Sequence, residues 1–124
     1  MSDSILREKS YAFAVRIVKL SQYLENKKNE RTLRKQVLRC GTAVGAMIHE
    51  AKYAESDADF VHKLRVALKE AHETSFWISL LKDTDYITVA MFDSIIVDCE
   101  ELIKMLTASI NTVKAKIDAA KAKK

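Results

Sequence analysis

At 124 residues, with two glycines and no proline, the chain has room for one real core and few places to turn, so a nearly all-helical single domain over residues 1–124 is expected. No run of ~18 apolar residues is present to cross a membrane, and the opening MSDSILREKS lacks the apolar stretch of a signal peptide, so a cytoplasmic protein with no membrane partner is expected. The net charge of +4 is modest, and its uneven distribution along the chain is more informative than its size.

The first helix is expected over about residues 5–26, with Ser2, Asp3 and Ser4 as candidate caps. Phe13, Ile17, Leu20 and Leu24 form one apolar stripe, and Tyr11, Val15 and Val18 form a second beside it. A face this wide predicts burial against two neighbours. The polar run Glu25-Asn26-Lys27-Lys28-Asn29 reads as a loop. The second helix is expected over about residues 30–54, with Leu33, Val37, Cys40, Val44, Met47 and Ala51 on one side. Ser56 and Asp59 resemble a capping box that opens a third helix over residues 57–83. Its stripe is Phe60, Leu64, Ala67, Ala71, Thr74, Ile78 and Leu81. Thr88 caps a fourth, over residues 88–121, with Phe92, Ile96, Cys99, Ile103, Leu106, Ile110, Val113 and Ile117 in steady steps. Four amphipathic helices with short connections imply an up-down-up-down antiparallel four-helix bundle. Cys40 and Cys99 lie on apolar stripes, which predicts two buried, reduced thiols.

With the turn centred on Ser56, residues equidistant from it along the chain face one another. Gly41 then meets Ala71, Gly45 meets Ala67, Val44 meets Leu68 and Ile48 meets Leu64. Small against small predicts a close approach of the second and third helices, so that Gly45→Leu splays that pair. The same register pairs Arg39 with Glu73 and Glu50 with Lys63 as structural ion pairs. The end of the third helix is apolar nearly all round, at Phe76, Trp77, Ile78, Leu80 and Leu81. The fourth helix, ~51 Å long against ~40 Å for the third, overhangs it. An oligomer interface is therefore expected at Phe76, Trp77, Leu80, Ile110, Val113 and Ile117.

Catalytic patterns are absent. Asp59 and His62 have the spacing of a bundle metal pair, but a di-iron bundle needs Glu-x-x-His twice with two further inward Glu residues, and no second copy exists. His49 and His72 sit beside acids, as surface histidines do, and Glu70 with Glu73 reads as a structural pair near Arg39 and Lys69. Gly41-Thr-Ala-Val-Gly45 lacks the Lys-Ser/Thr of a phosphate loop. No catalytic residue, metal or cofactor is expected. Lys27, Lys28, Arg31, Arg34 and Lys35 form a basic block suited to the phosphates of RNA or DNA. A second block, Lys114, Lys116, Lys121, Lys123 and Lys124, closes the chain. The topology suggests partial neutralisation: the first block by Asp93, Asp98, Glu100 and Glu101, the second by the acidic turn before the third helix. A solvated charged surface and a phosphate-binding surface both fit this pattern.

The same residues carry a family resemblance. LRKQVLRCGTAVGAMIHEA, followed by S-x-x-x-F-x-x-KL-x-x-ALKEA-x-E-T-x-x-W, resembles the bacterial four-helix-bundle family of 23S rRNA-intervening-sequence proteins. The matching positions include Arg39, Gly45, Ile48, Glu50, Ala51, Phe60, Lys63, Leu64, Ala67, Leu68, Glu70, Ala71, Glu73, Thr74 and Trp77, while Met47 stands where the family often has Asn. The resemblance implies a small cytoplasmic bundle that forms ring-like homopentamers and has no established catalytic residues. Some members are encoded within insertions in large-subunit rRNA genes. A related branch, the accessory variability protein of diversity-generating retroelements, works with a reverse transcriptase and nucleic acid. Residues and resemblance together suggest a non-catalytic homo-oligomer that binds RNA or DNA through clustered Lys and Arg. The alternative is a scaffold whose partner is another protein.

Overall fold

The computed structural model describes residues 2–123. The side chains of Ser2 and Asp3, and all of Lys124, lie outside the described residues, and with them the capping role expected at the first two. Four helices, α1 (Ser2–Lys28), α2 (Leu33–Ala51), α3 (Asp57–Asp83) and α4 (Val89–Ala122), make a four-helix bundle with no strand among the described residues. Each helix packs on the next, and α4 returns to α1 through the slimmest of the four interfaces. One apolar cluster runs through the middle, from Leu6, Phe13 and Leu24 through Val44, Leu64 and Ile78 to Leu102 and Leu106.

Hydroxyl caps start two of the helices. The Ser56 Oγ accepts from the Asp59 N–H at 3.0 Å, and the Asp59 carboxylate accepts from the Glu55 N–H at 3.2 Å. The Thr88 Oγ1 accepts from the Met91 N–H at 3.1 Å. Each satisfies a donor that a helix N-terminus leaves unpaired. The α3 helix ends where Asp85 adopts a φ of 65° and the Tyr86 N–H returns to the Leu81 carbonyl at 2.9 Å, a Schellman-type stop.

The first connection differs from expectation. The segment read as a loop is helical through Lys28, and Asn29 ends α1 with a φ of 53°. Asn tolerates that left-handed conformation better than most residues. The Glu30 N–H then bonds back to the Leu24 carbonyl at 2.9 Å. Glu30 therefore lies outside α2, which begins three residues later, and α2 also stops at Ala51, short of the expected end.

The glycines pack against a different neighbour from the one the sequence suggests. A Cβ on Gly41 would lie 2.8 Å from both Cγ atoms of Ile17, and one on Gly45 would lie 3.2 Å from the Ser10 carbonyl oxygen. Both contacts are with α1, so α1 and α2 form the glycine-mediated close pair. Because α2 sits between α1 and α3, its apolar width serves two neighbours, and the glycines belong to the α1 side. Ser10 and Ser21, both buried, are small residues of α1 within this chain's interior. Ala67 and Ala71 are fully buried on α3.

The second α1 stripe is only partly covered by its own chain. Tyr11, Val15 and Val18 are 65%, 40% and 39% exposed. The side of α1 that meets α4 is instead the one carrying Lys9 and Arg16. The fourth helix also finds more cover than its length suggests. Ile110 is 6% exposed, and Val113 and Ile117 are half-buried against the core. Ile110 is thus already covered within the chain and is not a free interface residue.

Candidate nucleic-acid interface

The connection between α1 and α2 gathers cations at one end of the bundle. Lys27 and Lys28 end α1, Arg31 lies in the turn, and Lys35 sits on the first turns of α2. All four are exposed. Among the described residues no carboxylate pairs with any of them.

Local chemistry explains why the cations are left facing solvent. Glu30, the acid of this turn, is buried and turned inward. Its carboxylate accepts from the Arg34 N–H at 2.8 Å and the Thr32 N–H at 3.2 Å, capping α2 where no Ser, Thr or Asp side chain does. Burial alone would raise its pKa. The backbone N–H groups of Arg34, Leu33 and Thr32, with the Arg34 charge, outweigh it and hold the carboxyl below its ordinary value of 4.5. Stability from this cap is therefore fully present above pH 4.5 and is lost as pH falls through the lower folded-state value. Glu30→Gln should cost ~1 kcal/mol at neutral pH, and denaturant titrations of both proteins should converge as the pH is lowered.

Arg34 differs from the other members of the basic block. Its guanidinium meets Glu25 at 3.4 Å and Ser21 Oγ at 3.3 Å, and its side chain is only 18% exposed. It ties the start of α2 to α1, and its charge is engaged there while the other four cations face solvent.

The expected neutralisation of this block by α4 does not occur, because α2 and α4 lie diagonally across the bundle. Asp98 pairs with Arg16 at 2.7 Å and Glu101 with Lys9 at 3.1 Å, both on α1. At the opposite end, Lys116 does meet Asp57, at 3.3 Å.

Along the α2–α3 seam, Arg39 donates to Glu70 at 3.3 Å and also to Glu73. The Trp77 indole N–H donates to the same Glu73 carboxylate at 3.0 Å, and Lys63 donates to Glu50 at 3.1 Å. The Trp77 hydrogen bond foremost, with the Arg39 charge, keeps the Glu73 carboxyl below its ordinary pKa against the effect of burial. Exposed pairs of this kind contribute ~0–1 kcal/mol each, so their larger effect is on register. Phe76 is 59% exposed and meets the edge of Trp77, 5.1 Å between ring centres. Trp77 and Leu80 are half-buried.

Asp59 is engaged in the α3 cap and His62 points to solvent. Among the described residues no three His, Cys, Asp or Glu side chains cluster as metal ligands would. Both cysteines are buried and unbridged. The Cys99 thiol donates to the Ala71 carbonyl at 3.3 Å, and burial foremost pushes its pKa up to about 12. Burial also raises Cys40. Since the thiolate is the reactive form, a thiol reagent at neutral pH should modify neither cysteine in the native protein and both after denaturation. Rapid native-state labelling of either would contradict this packing.

No helix is long and apolar enough to cross a membrane among the described residues. Residues 2–108 match the family model of the 23S rRNA-intervening sequence protein. A solved structure from Bacteroides thetaiotaomicron, described as a protein of unknown function from the S23 ribosomal protein family, is similar to this chain. The two share 48% identity over 90% of this chain and 99% of that one, with a TM-score of 0.88. No curated protein matches. Neither similarity points to an enzyme family. With a motif-bearing hairpin, a four-helix architecture and a family match over most of its length, the chain belongs to the 23S rRNA-intervening sequence protein family.

Proposed function

We propose that this protein is a non-catalytic, homo-oligomeric bundle that binds RNA or DNA by its phosphates at the α1–α2 end. The observation that carries the reading is the set of four exposed cations without acidic partners among the described residues, Lys27, Lys28, Arg31 and Lys35, at a single turn. The inward-turned Glu30 leaves their charge unopposed there. Fluorescence polarisation with a labelled RNA at several salt concentrations tests it. Neutralising four phosphates predicts a log–log salt slope of about −3 on single strands. Absence of binding even at low salt would overturn the reading.

Self-association is part of the same proposal. Exposed Tyr11, Val15 and Val18 on α1 and Phe76 on α3 supply apolar surface for it, and a ring-like homopentamer is the assembly the family resemblance implies. The same surfaces favour a second reading, a scaffold whose partner is another protein, such as a reverse transcriptase. Light scattering measures the mass of the assembly. Salt-independent association without affinity for RNA would favour the scaffold.

A further inference from the structure

A groove of about 520 Å³ runs along the seam between α1 and α4. Its lining includes the buried Leu20, Ile87 and Ile95 and the half-buried Tyr23 and Met91. Arg16, Lys19 and Ser94 are its polar lining residues, and Ala90 completes it. Arg16 lies at one part of it, fixed by Asp98 Oδ2 at 2.7 Å, Ser94 O at 3.1 Å and Ser94 Oγ at 2.8 Å. Lys19 lies at another part, exposed and without a carboxylate partner among the described residues.

The groove is continuous in sequence position with the basic end. Lys19, Tyr23 and Lys27 follow one another at four-residue spacing and so share a side of α1. Tyr23 is one turn, about 6 Å along the axis, from Lys27. An apolar slot holding an aromatic ring, with cations on either side of that ring, matches the chemistry of a nucleotide. The planar base enters the slot, and the phosphates beside it meet Lys19 and Lys27. A base is free to enter only when it is not stacked and paired within a duplex. Asp98, which pairs with the rim residue Arg16, has its charge engaged there.

We infer that the α1–α4 groove receives an unstacked base of a single-stranded nucleic acid whose phosphates are held by Lys19 and the α1–α2 cations. This rests on the proposed function and narrows it from nucleic acid in general to single strands. It also assigns a task to the α1–α4 interface, which the basic turn alone does not involve.

The test compares polarisation titrations of an unstructured single-stranded RNA and a duplex RNA of equal length. The proteins are the wild type, Tyr23→Leu, Tyr23→Phe and Ala90→Leu. Tyr23→Leu removes the ring but keeps apolar bulk. Ala90 is exposed at the groove, so Ala90→Leu narrows the slot without entering the core. Single-strand affinity should fall about tenfold in Tyr23→Leu and in Ala90→Leu, as for loss of one stacked base, and should be retained in Tyr23→Phe. Duplex affinity should stay within about twofold in all three, since its contacts are to phosphates. Unchanged single-strand binding in both Leu variants, or equal losses for single strand and duplex, overturns the groove assignment while leaving the basic end intact. If the wild type binds neither RNA at low salt, the proposed function fails and this inference fails with it.

Discussion

Replacing Gly45 with leucine should lower the melting temperature by at least ~10 °C, from overpacking that costs ~3 kcal/mol or more. The new side chain would start 3.2 Å from a backbone carbonyl, that of Ser10, and a backbone atom has no rotamer by which to move away. The loss should appear between α1 and α2. Spin labels at exposed Ala12 and Lys35 would separate, while a pair spanning exposed Lys52 and His62 on α2 and α3 would keep its distance. Gly41→Ala is the finer probe. Its Cβ meets the branched Ile17 at 2.8 Å, so the gain of ~1 kcal/mol in helix propensity should be cancelled or reversed by the clash. Removing both Cγ atoms in a Gly41→Ala/Ile17→Ala double variant should make the combined loss smaller than the sum of the two single losses, a coupling that contacting residues show.

The second large effect is expected at the basic turn. A Lys28→Glu/Arg31→Glu/Lys35→Glu variant should bind RNA at least 100-fold more weakly near physiological salt, because three phosphate contacts become repulsions. Its melting temperature should change little, since none of the three side chains has a carboxylate partner among the described residues. Arg34→Gln should behave in the opposite way. It removes the tie to Glu25 and Ser21 and so should lower stability while leaving the salt slope of binding nearly unchanged. Equal losses of affinity in the two variants would mean that Arg34 reaches phosphate despite its burial.

How much of this was readable in the sequence depended on which interaction decided each feature. The starts of α3 and α4 are written in Ser56 and Thr88, whose hydroxyls cap the residues that follow. The start of α2 is not, because its cap is a glutamate that lies outside the helix and folds back onto it. Glu30 reads as an ordinary helical residue until that geometry is seen. The pairs Arg39–Glu73 and Lys63–Glu50 need only the position of one turn. Arg16–Asp98 and Lys9–Glu101 join helices separated by most of the chain, and no local pattern announces them.

Periodicity says that Gly41 and Gly45 share a side of α2. It does not say which of two neighbours that side meets, and the answer is Ile17 and Ser10 of α1. The candidate site was partly legible for the same reason. Charge along the sequence marks the basic block, but only packing separates Arg34, held by Glu25, from the four cations left to solvent. The α1–α4 groove was not legible, since Tyr23 and Met91 come from the first and fourth helices, far apart in the chain.

The most direct measurement is the salt dependence of RNA binding by the wild type and the Lys28/Arg31/Lys35 charge-reversed variant, read side by side. A wild-type log–log slope of about −3 is expected, shrinking to about −1 when three of the turn's four cations are reversed. Two parallel lines of equal slope would place the phosphate contacts elsewhere on the bundle and rule out the basic turn as the binding site.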